Sequence, residues 1–354
     1  MKKFILIITF TLFSLNSFAN KIDDKVLNEI YTTIYNNFLE PVSMEKITNE
    51  GLKSLNDLDK KILVSNSPER YYLYYNNQVK KVFSKPKDIQ NINDWIELNF
   101  HITKTAMDLS ENISLRDFEL ADIMAKRVLY SLDKYSKYLS EYDYDENKGE
   151  NAIYTLYSDR IIDDILYLKV RIFNKQTSVQ IQKSIEDNPN IKGIILDLRG
   201  NSGGILNEAL KVADFFLDNQ IIAYTANRNK ENIHYYTSKD GEIYSGPLVI
   251  ITDGETASAA EVLAASLQSQ SRAKIIGSQT FGKGTIQNIT EVSNGGKLVL
   301  TTEQFFTPDD KPINNVGVTP DICLAQKQEI CHKENALRNE NYLNEALSLI
   351  KNEY

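Results

Sequence analysis

Residues 193–217, GIILDLRGNSGGILNEALKVADFFL, decide how this chain is read. The segment GIILDL is apolar without alternation, as a strand covered on both faces is. Three glycines then interrupt the run, and from about Leu206 the apolar residues Ala209, Leu210, Ala213, Phe216 and Leu217 fall on one helical face. A buried strand, a glycine turn and an amphipathic helix make one unit of an α/β fold. Inside the turn, Gly200-Asn201-Ser202-Gly203-Gly204 also spells Gly-x-Ser-x-Gly, the nucleophile elbow of serine hydrolases.

Working outward, the same alternation of strand and helix continues. Upstream, ILYLKVRI (165–172) alternates apolar and polar residues as a half-buried strand does, and SVQIQKSIED reads as a helix ending at Asn188-Pro189. Downstream, IIAYT and PLVIIT read as strands, an Ala-rich helix begins near Ser258, KIIG is a strand, and TIQNITEV and KLVLTTEQFF are extended. Residues 151–325 are therefore expected to be an α/β domain, followed by a tail (326–354) with a final helix in ENYLNEALSLIKNEY.

The region 20–150 has a different texture. Ile22, Val26, Ile30, Ile34 and Phe38 are spaced by four until Glu40-Pro41 stops the helix, and MEKITNEGLKSLNDL and LRDFELADIMAKRVLYSL are further helical stretches. The Tyr- and Val-rich KILVSNSPERYYLYYNNQVKKVF between them has an extended character within a mostly helical region. Residues 1–19 pair Lys2-Lys3 with an apolar run from Phe4 to Leu15 and end Ser-Phe-Ala, the pattern of a secretory signal peptide. A run of 12 residues is short against the ~20 that span a bilayer, so export to a bacterial periplasm is expected.

Composition narrows the chemistry. With 48 acidic against 40 basic residues, the chain has no general affinity for nucleic acid. Cys323 and Cys331 are the only cysteines, and in an oxidising compartment they are candidates to close a small loop. The three histidines (His101, His234, His332) are scattered, so no metal site or cofactor is expected. That scatter also counts against Ser202 as nucleophile, because an elbow serine needs a histidine and an acid placed downstream. GSQTFGKGT nearly spells a phosphate-binding loop, but Gly284 stands at its last position and a strand, not a helix, follows.

The remaining constellation is Ser258 in TDGETASAAEVLAASLQ with Lys283 and Gln287 in TFGKGTIQ. Ser258 and Glu261 fit Ser-x-x-Glu, and taken alone they are an ordinary capping box. At a helix start, however, the N–H of Ala259 also faces any oxyanion formed by attack of the Ser258 hydroxyl. Lys283 lies between Gly282 and Gly284, and in an extended segment it shares a face with Thr285 and Gln287. A neutral lysine can take the serine proton, and Gln287 can hold its amine, so the pair does the work of a Ser–His–Asp triad.

In order along the chain, DLRGNSGG, ETASAAEVLAASL, TFGKGTIQ and FFTPDDKPINNVGVTPDI resemble the carboxy-terminal processing peptidases, or tail-specific proteases. The resemblance implies a crotonase-like α/β core and a serine endopeptidase acting on protein or peptide substrates. It implies Ser258 as nucleophile, Lys283 as base and Gln287 as its orienting residue. For the oxyanion it implies the backbone N–H of Ala259 and of Gly204 or Gly203. Two departures stand out. Ser202 replaces the family's usual proline, and only about 25 residues separate Leu139 from Ile165, too few for the PDZ domain that members usually carry there. Substrate selection then falls to the helical region or an adaptor protein, and the apolar helix faces are candidates for a homodimer. A catalytically silent scaffold on the same fold is the alternative.

Overall fold

The computed structural model describes residues 24–141, 156–239, 241–323, 331 and 341–353. The expected signal peptide and His332 lie outside these residues. The chain divides into two compact units, one holding the residues up to Thr32 with Met44–Ser131, the other Thr33–Ser43 with Leu132–Tyr354. Lys137–Leu139 pairs with a core strand, and the expected separate tail carries a helix that belongs to the second unit.

The first helices are α1 (Asp24–Asn37) and α2 (Met44–Leu58). The Tyr-rich segment forms an antiparallel sheet of β1 (Ile62–Asn66), β2 (Arg70–Tyr75) and β3 (Gln78–Ser84). Helices α3 (Ile92–Leu109), α4 (Glu111–Ser114) and α5 (Asp117–Leu132) follow. In the first unit, Ile47, Leu55, Ile102, Met124 and Val128 are fully buried, which is the apolar stripe that amphipathic helices need to hide. A Cβ on Gly51 of α2 would come within 2.0 Å of the Tyr31 hydroxyl, so a larger residue here would have to push that buried ring aside.

The second unit contains two sheets. After β4 (Lys137–Leu139), the chain forms β5 (Leu156–Ile162), β6 (Ile165–Val170), α6 (Thr177–Glu186), β7 (Gly193–Asp197) and α7 (Leu206–Asp214). It continues through β8 (Ile221–Asn227), β9 (His234–Thr237), β10 (Leu248–Thr252), α8 (Ala259–Ser269) and β11 (Lys274–Gly277). It ends with β12 (Thr285–Glu291), β13 (Lys297–Phe306) and α9 (Asn341–Glu353). The first sheet has the order β11-β10-β7-β6-β5 and is parallel except for β5. The second, β12-β13-β8-β9 with β4 beside β13, is antiparallel.

Residues 165–172 depart from expectation. Instead of a half-buried strand, β6 is buried on both faces, with Tyr167 only 6% exposed. One face joins a core shared with α6, α7 and α8, and the other packs with Tyr342, Ala346 and Ile350 of α9. The alternation in the sequence survives because the polar atoms find partners. The Tyr167 hydroxyl donates to Asp197 at 2.6 Å, and Lys169 Nζ donates to the same carboxylate at 3.0 Å.

Candidate active site

Strands β7 and β10 are parallel neighbours, so the loops leaving their carboxyl ends emerge side by side. The first is Leu198–Gly204. Asn201, fully buried, braces it by donating from Nδ2 to the Val170 carbonyl (3.1 Å) and accepting the Gly203 N–H at Oδ1 (2.9 Å). The second loop runs from Asp253 to Ser258, and the two are stapled together. Both Asp253 oxygens accept the Gly200 N–H at 3.0 Å, Thr256 Oγ donates to Leu198 O at 2.9 Å, and Ala257 N–H donates to Asn201 O at 2.9 Å.

Ser258 precedes α8 with φ 57° and ψ −122°, a left-handed backbone conformation that non-glycine residues rarely adopt. Such strain persists only where surroundings over-determine it, and it gathers at functional sites. Here the surroundings include a very close approach. A Cβ on Gly203 would lie 2.8 Å from the Ser258 Cβ and 3.1 Å from the Ala259 N, which is why position 203 must be glycine.

Gly203 and Gly204 were equal candidates for the second oxyanion donor, and the geometry separates them. The Gly203 N–H is taken by Asn201. Gly204 (φ 126°) is held on either side by Phe173, which donates to Gly203 O and accepts from Ile205 N–H, both at 2.8 Å. Among the described residues no partner takes the N–H of Gly204 or of Ala259.

The third segment carries Lys283. Gly282 and Gly284 flank it because residues 313–317 pass directly beside them; a Cβ on Gly284 would sit 2.4 Å from Asn314 N. This segment is joined to Ser258 through Glu261. The buried Glu261 carboxylate accepts the Ser258 N–H (2.8 Å) and the Lys283 N–H (2.8 Å) at Oε2, and the Gly282 N–H (2.6 Å) and Thr280 hydroxyl (2.5 Å) at Oε1. Burial pushes its pKa up, against the lowering effect of these four bonds. Glu261 does more than a capping box, because three of its donors come from a segment some 20 residues away in sequence. Only the Ser-x-x-Glu spacing hinted at it.

Gln287 lies on β12, beyond a bulge between Ile286 and Gln287. Its Nε2 donates to Thr285 Oγ (3.0 Å) and Thr301 Oγ (3.1 Å), so its side-chain carbonyl remains as the group able to accept from an ammonium. Lys283 Nζ stands 4.8 Å from the centre of the ring of Tyr135, a residue that no feature of the sequence marks as functional.

Ser202 is exposed, and among the described residues no hydrogen bond joins it to a histidine. His234 is exposed on β9 with its ring edge-on to Tyr236, and His101 belongs to the first unit, where it pairs with Glu97. Cys323 and Cys331 are joined by a disulfide, and the Cys331 carbonyl accepts the Gln279 N–H at 2.9 Å, four residues from Lys283. Among the described residues, no group of three or more His, Cys, Asp or Glu side chains converges to hold a metal ion.

Residues 164–324 match the sequence profile of Peptidase family S41. A carboxy-terminal-processing protease of Bartonella bacilliformis is 37% identical over 174 residues, covering 47% of this chain and 40% of the relative. The carboxy-terminal processing protease CtpA of Bacillus subtilis is 32% identical over 171 residues, covering 48% and 36%. The matched segment thus spans less than half the length of these relatives. A solved lipoprotein structure from Streptococcus agalactiae shares the fold with a TM-score of 0.52 at 18% identity, covering 90% of this chain and all of that one.

Proposed function

We propose, on the match of residues 164–324 to the peptidase family S41 profile and the likeness to carboxy-terminal processing proteases, that the protein is an exported serine endopeptidase that cuts polypeptides near their C-terminal tails. Neutral Lys283 takes the proton from the Ser258 hydroxyl as Ser258 Oγ bonds to a peptide carbonyl carbon. The oxyanion accepts from the N–H groups of Ala259 and Gly204. Lys283 passes its proton to the departing amine, leaving an acyl-enzyme. Water, deprotonated in the same way, then attacks the ester and releases the C-terminal acid of the upstream fragment. Gln287 orients the lysine amine through its side-chain carbonyl. Each oxyanion N–H is worth ~2.7–4 kcal/mol of barrier.

One observation carries this reading: a strained serine at a helix start, pressed against a glycine loop, with two unpartnered N–H groups beside it and a lysine segment tied to its own backbone N–H. A cap needs none of that strain. The periplasm is the expected compartment, on the Lys-Lys start and short apolar run of residues 1–15. No helix of the described residues is long and apolar enough to cross a membrane. Val26, Ile30 and Ile34 of α1 are buried within the chain, so a homodimer would use another surface, and light scattering that returns a monomer mass removes that part of the reading.

The test uses the mature chain with unstructured polypeptides ending in apolar residues. Wild type cleaves them, and Ser258→Ala and Lys283→Ala do not. Inactivity of wild type toward every such substrate favours a scaffold role instead. Cleavage that survives Ser258→Ala overturns the assignment of the nucleophile.

A further inference from the structure

We infer that Tyr135 is a positioning residue of the Ser258–Lys283 pair, its ring face holding the Lys283 ammonium that forms when the lysine accepts the serine proton. The inference rests on the proposed dyad and deepens it. Lys283 Nζ stands 4.8 Å from the Tyr135 ring centre, inside the ~6 Å over which an aromatic quadrupole attracts a cation. Among the described residues Lys283 Nζ has no carboxylate partner. The Lys134 ammonium stands 5.0 Å from the same ring, and the Glu261 carboxylate takes the backbone N–H of Lys283 and not its amine.

The backbone that carries the ring is held in place on both sides. Asp133 Oδ1 accepts the N–H of Tyr135 (2.8 Å) and of Ser136 (2.5 Å), which folds the segment into a tight turn. Ser136 Oγ accepts the Thr301 N–H at 3.1 Å, and β4 continues into the sheet beside β13. Thr301 is also the residue whose hydroxyl accepts from Gln287, so one position of β13 supports both the ring and the glutamine. Lys134 closes the cluster by standing 4.3 Å above the Phe281 ring, two residues before Lys283.

The chemistry explains why a ring suits this place. A base that begins neutral and becomes cationic in the transition state is helped by a partner that attracts only the cation. A carboxylate would attract it too strongly and keep the lysine charged between turnovers. A ring face attracts it modestly and accepts no proton, so the lysine can release its proton to the leaving amine.

The experiment replaces Tyr135 in the full mature chain with Phe, with phenylalanines of increasing ring fluorination, and with Leu. The first readout is the rate at which an N-hydroxysuccinimide ester acylates Lys283 at fixed pH, mapped by mass spectrometry, which needs no substrate turnover. Phe is expected to match wild type, while at a pH where Lys283 is mainly protonated fluorination and Leu raise the rate progressively, reaching about two- to fivefold. A packing role does not follow fluorination at constant shape, and the isosteric rings keep the test valid if Leu disturbs folding. The second readout, single-turnover cleavage at a pH high enough that Lys283 is neutral in every variant, falls in the same order with KM unchanged. Equal labelling across the fluorine series overturns the inference. If cleavage survives Lys283→Ala, the dyad itself fails; if cleavage needs Lys283 yet neither readout follows the ring, the dyad stands and Tyr135 has no such role.

Discussion

Replacing Glu261 with glutamine is the most informative single change, because it keeps the volume and removes only the second acceptor oxygen. The carboxylate accepts four hydrogen bonds and donates none, two at each oxygen. A glutamine must turn its NH2 toward one pair. Toward Ser258 and Lys283 it meets two N–H donors. Toward Thr280 and Gly282 it meets a hydroxyl that can rotate to accept, so this orientation wins and one buried N–H, that of Gly282, is orphaned. An orphaned buried donor costs about 1–3 kcal/mol. The remaining three bonds also change from charge-assisted to neutral, roughly halving each. Against this, glutamine avoids burying a charge, the same penalty that raises the Glu261 pKa. The net expectation is about 2 kcal/mol of lost stability. The loss in activity is larger, because the orphaned N–H belongs to Gly282, the residue directly before Lys283, and a displacement of about 1 Å at reacting groups costs on the order of 100-fold. Thermal unfolding and kcat/KM on the same preparation decide the matter. Wild-type kcat/KM in Glu261→Gln would show that this carboxylate does not align the two segments.

Four further outcomes follow from the geometry. Gly204→Ala places a Cβ 2.2 Å from the Phe173 carbonyl at a φ of 126°, so the loop must shift and one oxyanion donor is lost; kcat should fall about 100- to 1,000-fold, while the exposed Ser202→Ala keeps most activity. Ser258→Gly abolishes cleavage yet relieves a strained backbone worth about 1–3 kcal/mol, so its melting temperature should rise, and an unchanged or lower value argues against strain at φ 57°. Asp197 is pushed up by burial, but Arg199, Lys169 and Tyr167 outweigh this and hold it below its ordinary 3.8; its contribution is therefore present at neutral pH and lost as pH falls below that value, and Asp197→Asn should flatten the acid limb of a stability–pH curve. Opening the Cys323–Cys331 disulfide with a reductant should cost about 2.5 kcal/mol from the small loop it closes and lower activity through the bond from Gln279 to Cys331, whereas identical melting with and without reductant would count against it.

Much of the core was legible because its signals are local. An uninterrupted apolar run identified β7, helical spacing identified α7 and the Ala-rich α8, and the stretch MEKITNEGLKSLNDL is α2 residue for residue. The reading of β6 failed for a physical reason. Alternating Tyr and Lys look solvent-facing until α9, some 170 residues later, covers one side and Asp197 gathers the polar tips. Strand β4 was equally hidden, since it is three residues long and is held by pairing with β13.

For the candidate site, residue types and order along the chain carried Ser258, Lys283 and Gln287, because their chemistry demands those side chains near glycine turns and a helix start. What sequence could not supply is the choice among equivalent backbone groups and the partners that arrive from far away. Gly204 and not Gly203 keeps a free N–H because Asn201 folds back onto its neighbour, a decision made by a side chain braced on another strand. Glu261 becomes the link between two segments, and Tyr135 comes to stand beside Lys283, only when parallel strands and antiparallel pairing close the distance. Composition and periodicity determine which elements form, whereas the hydrogen-bond partners of a buried group depend on what the folded chain brings within 3 Å of it.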